Sequence, residues 1–148
     1  MDNKLTQVPQ MILRLALGIG FILPCMDRLG MIGPPGTPGV NWGDWQHFTD
    51  YAYSLMPFLS RGLSDFFAII ATVGEIVCGI GLILGLKTRY SAIGGGAITF
   101  TFAICMIISH GILSPIRYPV WVFVGGAFLL ACVERYAWSI DSLIDKRR

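Results

Sequence analysis

Apolar residues run through this chain in long blocks broken by only a few charges. Residues 8–32 carry Arg14, Asp27 and Arg28 as their only charges, residues 66–86 carry Glu75, residues 90–113 carry none, and residues 118–138 carry Glu134 and Arg135. Each block is about as long as the roughly 20 residues that an α-helix needs to cross a bilayer. The blocks are continuous rather than alternating, so they do not fit lipid-facing β-strands. The pattern predicts an all-α integral membrane four-helix bundle, one membrane domain over residues 1–148, closed by a tail at 139–148.

The connector at residues 33–65 has two parts. Gly33-Pro34-Pro35-Gly36-Thr37-Pro38-Gly39 is unable to form a helix and reads as a stiff, irregular link. From Asn41 onward, Trp45, Phe48, Ala52, Leu55, Met56 and Leu59 recur at steps of three and four, with Asn41 placed to cap and Asp44 in the first turn. This predicts a short amphipathic helix. It either lies at the interface with Trp42, Trp45, Tyr51 and Tyr53 at headgroup level or folds over the mouth of the bundle, because aromatic belts and lids use the same residue types.

Composition removes the other classes. Of 148 residues, 54% are hydrophobic and 14% charged, whereas a soluble domain carries about 25% charged residues. That leaves too few polar side chains to wet a globule, and it excludes disorder and a disulfide scaffold. A net charge of +2, scattered along the chain, does not suit nucleic acid. Its distribution is informative. Lys4, Arg14, Lys87, Arg89, Arg135, Lys146, Arg147 and Arg148 fall on one side of a four-span layout, and Arg28, Arg61 and Arg117 on the other. The positive-inside rule then predicts cytoplasmic termini, an outer loop at 33–65 and an inner (cell) membrane location. Nothing at the N-terminus reads as a cleaved signal peptide.

Glu75 is the most informative residue. It lies near the middle of the second block, where an ionised carboxylate costs at least ~2.5 kcal/mol. Its helical neighbours Ala68, Ala71, Thr72, Cys78, Gly79 and Leu82 form a small, weakly polar face that points into the bundle. The carboxylate reads either as a proton carrier or ligand-binding group around an intramembrane cavity, or as a structural acid tied to a neighbouring helix. Depth along the spans places Arg14 and Glu134 at a similar level toward the cytoplasm, which predicts a buried pair between them; the alternative is Arg14 snorkelling to headgroups. Asp27, Arg28 and His110 share an outer level and would line a pocket mouth or anchor the interface. Pro24 predicts a kink in the first span, and Gly81-x-x-x-Gly85 predicts close helix approach.

Cys25, Cys78, Cys105 and Cys132 fall one per span with no Cys-x-x-Cys, so they read as buried hydrophobic thiols rather than a redox pair. Two histidines, His47 in the loop and His110 in a span, do not make a haem pair. The chain offers too few donors for a metal site.

Several segments resemble the DoxX family of small four-helix membrane proteins. Leu13-Arg14-Leu15-Ala16-Leu17-Gly18, followed by Phe21 and Asp27-Arg28-Leu29, is similar to the family's first helix, with Cys25 where the family has Gly and Arg28 in place of Lys. Gly74-Glu75 through Gly85-Leu86-Lys87-Thr88-Arg89 resembles its Glu, glycine ladder and Gly-Leu-x-Thr-Arg turn, and Ser139-Ile140-Asp141 resembles its closing Ser-Leu-Asp. Glu134 to Ala137 does not reproduce the family's Gly-Pro-Gly-Arg. The resemblance implies relatives of unlike roles: a subunit of a quinone-linked oxidoreductase, partners of oxidative-stress proteins, and a receptor-assembly chaperone. Three expectations follow. The first is an accessory subunit, rather than a stand-alone enzyme, of a redox or quinone-linked system, with a quinone or isoprenoid lipid near Glu75 and another membrane or membrane-associated protein as partner. The second is a proton-coupled small-molecule transporter, which needs a homodimer for alternating access. The third is a non-enzymatic membrane chaperone or assembly factor.

Overall fold

The computed structural model describes residues 4–145, so Lys146, Arg147 and Arg148 of the expected basic set lie outside the described residues. The fold is all-helical: α1 (Lys4–Arg28), α2 (Trp45–Leu55), α3 (Arg61–Leu84), α4 (Thr88–His110), α5 (Ser114–Arg117), α6 (Val120–Ala131) and α7 (Ile140–Asp145). Three of these are long and apolar enough to cross a membrane, Gln7–Arg28, Arg61–Leu84 and Thr88–His110, and α6 is a shorter apolar helix. In the bundle α1 packs on α3, α3 on α4 and α4 on α6, and α6 returns to α1. Leu17, Phe21, Leu82, Ala92, Ala127 and Leu130 form its buried centre. We call the end bearing Arg28 and α2 the lid end and the opposite end the tail end.

Small residues set the α1–α3 distance. A Cβ on Gly18 would lie 2.7 Å from Ile83 and 3.0 Å from the Gly79 carbonyl, so the two backbones meet where side chains would hold them apart. Gly81 and Gly85 also sit where neighbouring chain approaches closely, as their spacing predicts. Gly81 faces Ser91 of α4, and Gly85 ends α3 in the left-handed region (φ 67°), giving its N–H to the Leu82 carbonyl. α1 continues through Pro9 and Pro24 to Arg28.

Two expectations about boundaries are corrected. The amphipathic helix starts at Trp45 with Asp44, not Asn41, as its cap: the Asp44 carboxylate accepts the His47 N–H at 2.8 Å. It stops at Leu55, so Met56 and Leu59 lie beyond it. Its face buries Phe48, Thr49, Ala52 and Leu55, and Phe48 and Ala52 cluster with Ala68 of α3. The element is therefore a lid folded onto the bundle. The last apolar block is helical only over Val120–Ala131, and residues 132–139 are irregular. Glu134 and Arg135 lie in that irregular stretch, exposed.

Candidate functional site

The buried charges gather in two places, one at each end of the bundle. At the lid end, Cys25 of α1 meets Thr72 of α3: its thiol donates to the Thr72 carbonyl at 3.8 Å. By the antiparallel register Arg28 starts about three residues further toward the lid and Glu75 three residues further toward the tail, so their Cα atoms are offset by about six residues, roughly 9 Å. Their side chains close that offset. Side chains on a helix lean toward its N-terminus, and because α1 and α3 run in opposite directions, Arg28 leans down the bundle while Glu75 leans up.

They meet as an ion pair. Arg28 Nη1 donates to Glu75 Oε2 at 2.5 Å and to Thr72 Oγ1 at 3.1 Å. The Thr72 hydroxyl in turn donates a hydrogen bond to the Ala68 carbonyl at 2.8 Å. The Cys25 sulfur also lies 3.5 Å from the same Glu75 oxygen, so its one S–H is shared between that carboxylate and the Thr72 carbonyl. Arg28 is 4% exposed and the Glu75 side chain 14%. The Arg28 guanidinium also lies over two lid rings, 4.1 Å from the Phe48 centroid and 5.2 Å from that of Trp42. Its Nε–H is buried without an acceptor.

Asp27, the preceding residue, serves the lid differently. Oδ2 accepts the N–H groups of Asn41 and Trp42 at 2.9 and 3.2 Å, and Oδ1 accepts that of Gly43 at 3.0 Å. Gly43 has φ 73°, and a Cβ there would run into the Pro34–Pro35 backbone, so this residue lets the link fold tightly enough to present three donors to one carboxylate. His110 stands apart from Asp27 and Arg28. It hydrogen-bonds Ser109 Oγ at 2.9 Å and stacks on Tyr51 at 6.5 Å, and Tyr51 in turn leans on Trp42 at 6.0 Å. Burial raises the Tyr51 pKa. Asp27, Arg28 and His110 are thus linked through lid aromatics, and His110 also lines a small pocket with Arg117 and Tyr118.

At the tail end Arg14 is 2% exposed. The expected Arg14–Glu134 pair is replaced: Arg14 donates to the backbone carbonyls of Ala137 (3.4 Å) and Trp138 (2.8 Å), and Gln10 donates to Ala137 at 3.2 Å. The helix on which a pairing Glu134 would have ridden ends at Ala131, which turns Glu134 outward and brings carbonyls to Arg14 in its place. Beside it, the Gly85 turn and the Ser139–Asp141 segment lock together. Asp141 N–H donates to the Gly85 carbonyl at 2.9 Å, and the Asp141 carboxylate accepts from the Lys87 and Thr88 N–H groups. A groove of about 1630 Å³ opens at this end, lined by Lys87, Arg89, Tyr90, Trp138 and Asp141 among others. Its lining does not include Glu75, whose carboxylate is met by Arg28.

Cys25 is buried, Cys78 and Cys105 half-buried and Cys132 exposed, all four free. Among the described residues no cluster of three or more His, Cys, Asp or Glu side chains forms a metal-holding group. Cys25, Trp42 and Phe48 were not singled out as site residues from the sequence. The available signal was the spacing of Cys25 and Arg28, one helical turn apart on the face that carries Gly18.

No curated protein and no solved structure matches the chain. The DoxX family model matches residues 10–111, from within α1 to the end of α4, a span holding Arg14, Asp27, Arg28, Glu75 and His110. With that match over more than half its length, on an all-helical frame of membrane-spanning character, the chain belongs to the DoxX family.

Proposed function

We propose that this DoxX-family protein is a multi-pass inner-membrane accessory subunit of a redox or quinone-linked system, its termini cytoplasmic and its lid end outside. In this reading the Arg28–Glu75 site takes the polar head of a quinone or isoprenoid lipid. The observation that carries the reading is the Arg28 Nε–H, a buried charged donor with no acceptor, which is costly to leave unmade. A quinone carbonyl oxygen supplies that acceptor, and an isoprenoid tail suits the apolar helix surfaces outside. Glu75 and Thr72 hold the guanidinium in place. The redox chemistry belongs to a second membrane or membrane-associated protein. The excess of Lys and Arg at the tail end supports the orientation.

The test is purification from native membranes in mild detergent, followed by lipid extraction and identification of co-purifying proteins. Wild type is expected to carry a quinone or isoprenoid and a partner, and Arg28→Met to lose the lipid. Wild-type protein that brings neither would sink the reading. Proton-coupled uptake abolished by Glu75→Gln would replace it with a transporter.

A further inference from the structure

One guanidinium holds the intramembrane carboxylate from below and the lid rings from above, and we propose that Arg28 couples the state of Glu75 to the docking of α2. Loss of the Glu75 partner, or its capture by a bound ligand, then releases the lid. The contacts leave Arg28 little freedom to do otherwise. Its Nη1 is held by Glu75 and Thr72, and its plane is covered by Phe48 and Trp42. Phe48 is the most deeply buried aromatic of α2 and anchors the cluster with Ala52 and Ala68. Without the Glu75 carboxylate, Arg28 is a buried, unpaired charge, a state proteins relieve by moving the charge to water. The route to water runs past Phe48 and Trp42, because α1 ends at Arg28 and the lid lies directly over it. Asp27 keeps the link attached through its three N–H bonds, so the lid swings on that clamp rather than leaving.

Coupling is reciprocal: loosening the lid must also loosen Arg28 from Glu75 and expose Cys25, which donates to the same carboxylate oxygen. The inference deepens the proposed function and rests on it only for the identity of the ligand that captures Arg28 or Glu75.

The experiment is hydrogen exchange on the full chain in detergent, comparing wild type, Glu75→Gln and Glu75→Ala. Exchange in residues 41–55 is expected to rise about tenfold in Glu75→Gln, which keeps one acceptor, and further in Glu75→Ala, with α4 unchanged. Conversely, Trp42→Leu with Phe48→Leu, in a chain whose Cys78, Cys105 and Cys132 are alanine, is expected to speed alkylation of Cys25 by a membrane-permeant maleimide about tenfold. Unchanged exchange in residues 41–55 in both Glu75 variants, or a rise shared equally by α4, overturns the coupling. A selective rise in protein whose extract contains no quinone or isoprenoid keeps the coupling and removes the ligand reading.

Discussion

Asp141 caps the helix that begins at Thr88, 53 residues earlier in the chain: one carboxylate oxygen accepts the Thr88 N–H at 2.8 Å and the other the Lys87 N–H at 2.7 Å. The cap comes from a distant segment because Lys87, the residue before the helix, is left-handed (φ 46°) and offers no side-chain cap of its own. Asp141→Ala is expected to lower stability by about 1–2 kcal/mol, the worth of an N-cap, with the exchange rise concentrated in the first turn of α4. Thermal unfolding in detergent and local exchange check it.

Asp27 is buried and accepts three backbone N–H groups, so replacing one oxygen by an amide sets a donor against a donor. Asp27→Asn is expected to cost about 1.5–3 kcal/mol and to open the Gly33–Gly43 link to limited proteolysis. A link equally resistant in the variant would show that the clamp is dispensable.

The α1–α3 contact is testable through a matched pair of glycines. Gly18→Ala places a methyl 3.0 Å from the Gly79 carbonyl, whereas Gly125→Ala meets nothing within 4 Å. The first is expected to cost about 1–3 kcal/mol through overpacking, and the second to be neutral or stabilising by up to about 1 kcal/mol through helix propensity. Unfolding midpoints measured side by side decide it, and equal effects would contradict the close approach.

Acid should undock the lid. Asp44 is held below the usual aspartate range by the His47 backbone N–H, and Asp50 by the hydrogen bond from Arg61. A carboxyl depressed on folding contributes stability that is fully present above its unfolded value, near pH 4, and is lost as pH falls through the lower folded value. Exchange in α2, corrected for its intrinsic pH dependence, is therefore expected to be flat from pH 8 to about 5 and to rise below about 4. Exchange in α2 that stays flat down to about pH 3 would contradict the prediction.

The sequence made Glu75 legible because depth alone marks an acid in the middle of an apolar block. Its partner was hidden by the same arithmetic. Counted along the chain, Arg28 lies about 9 Å from Glu75, and only the opposed lean of side chains on antiparallel helices closes that distance. The amphipathic helix was readable from its period, whereas its start was not, since Asn41 and Asp44 are both capping types and the choice fell to Asp27, which takes the Asn41 N–H. The end of α6 was misread for a related reason. Apolar residues continue to Trp138, and what stops the helix is the set of donors on α1 that receive the carbonyls beyond Cys132, which no local pattern encodes.

That early stop has a consequence for the surface beside α6. Twelve residues of α6 span about 18 Å against a hydrocarbon core of about 30 Å, while α3 and α4 have 24 and 23 residues. Non-helical backbone is tolerated at membrane depth only where protein satisfies it, and Arg14, Gln10 and Tyr136 do this for the carbonyls of Ala137, Trp138 and Leu130. The helical part of the wall is therefore long on the α3 side and short on the α6 side. On that flank the protein surface is completed by the irregular 132–139 chain, where Cys132 and Trp138 are exposed beside carbonyls that buried donors already satisfy.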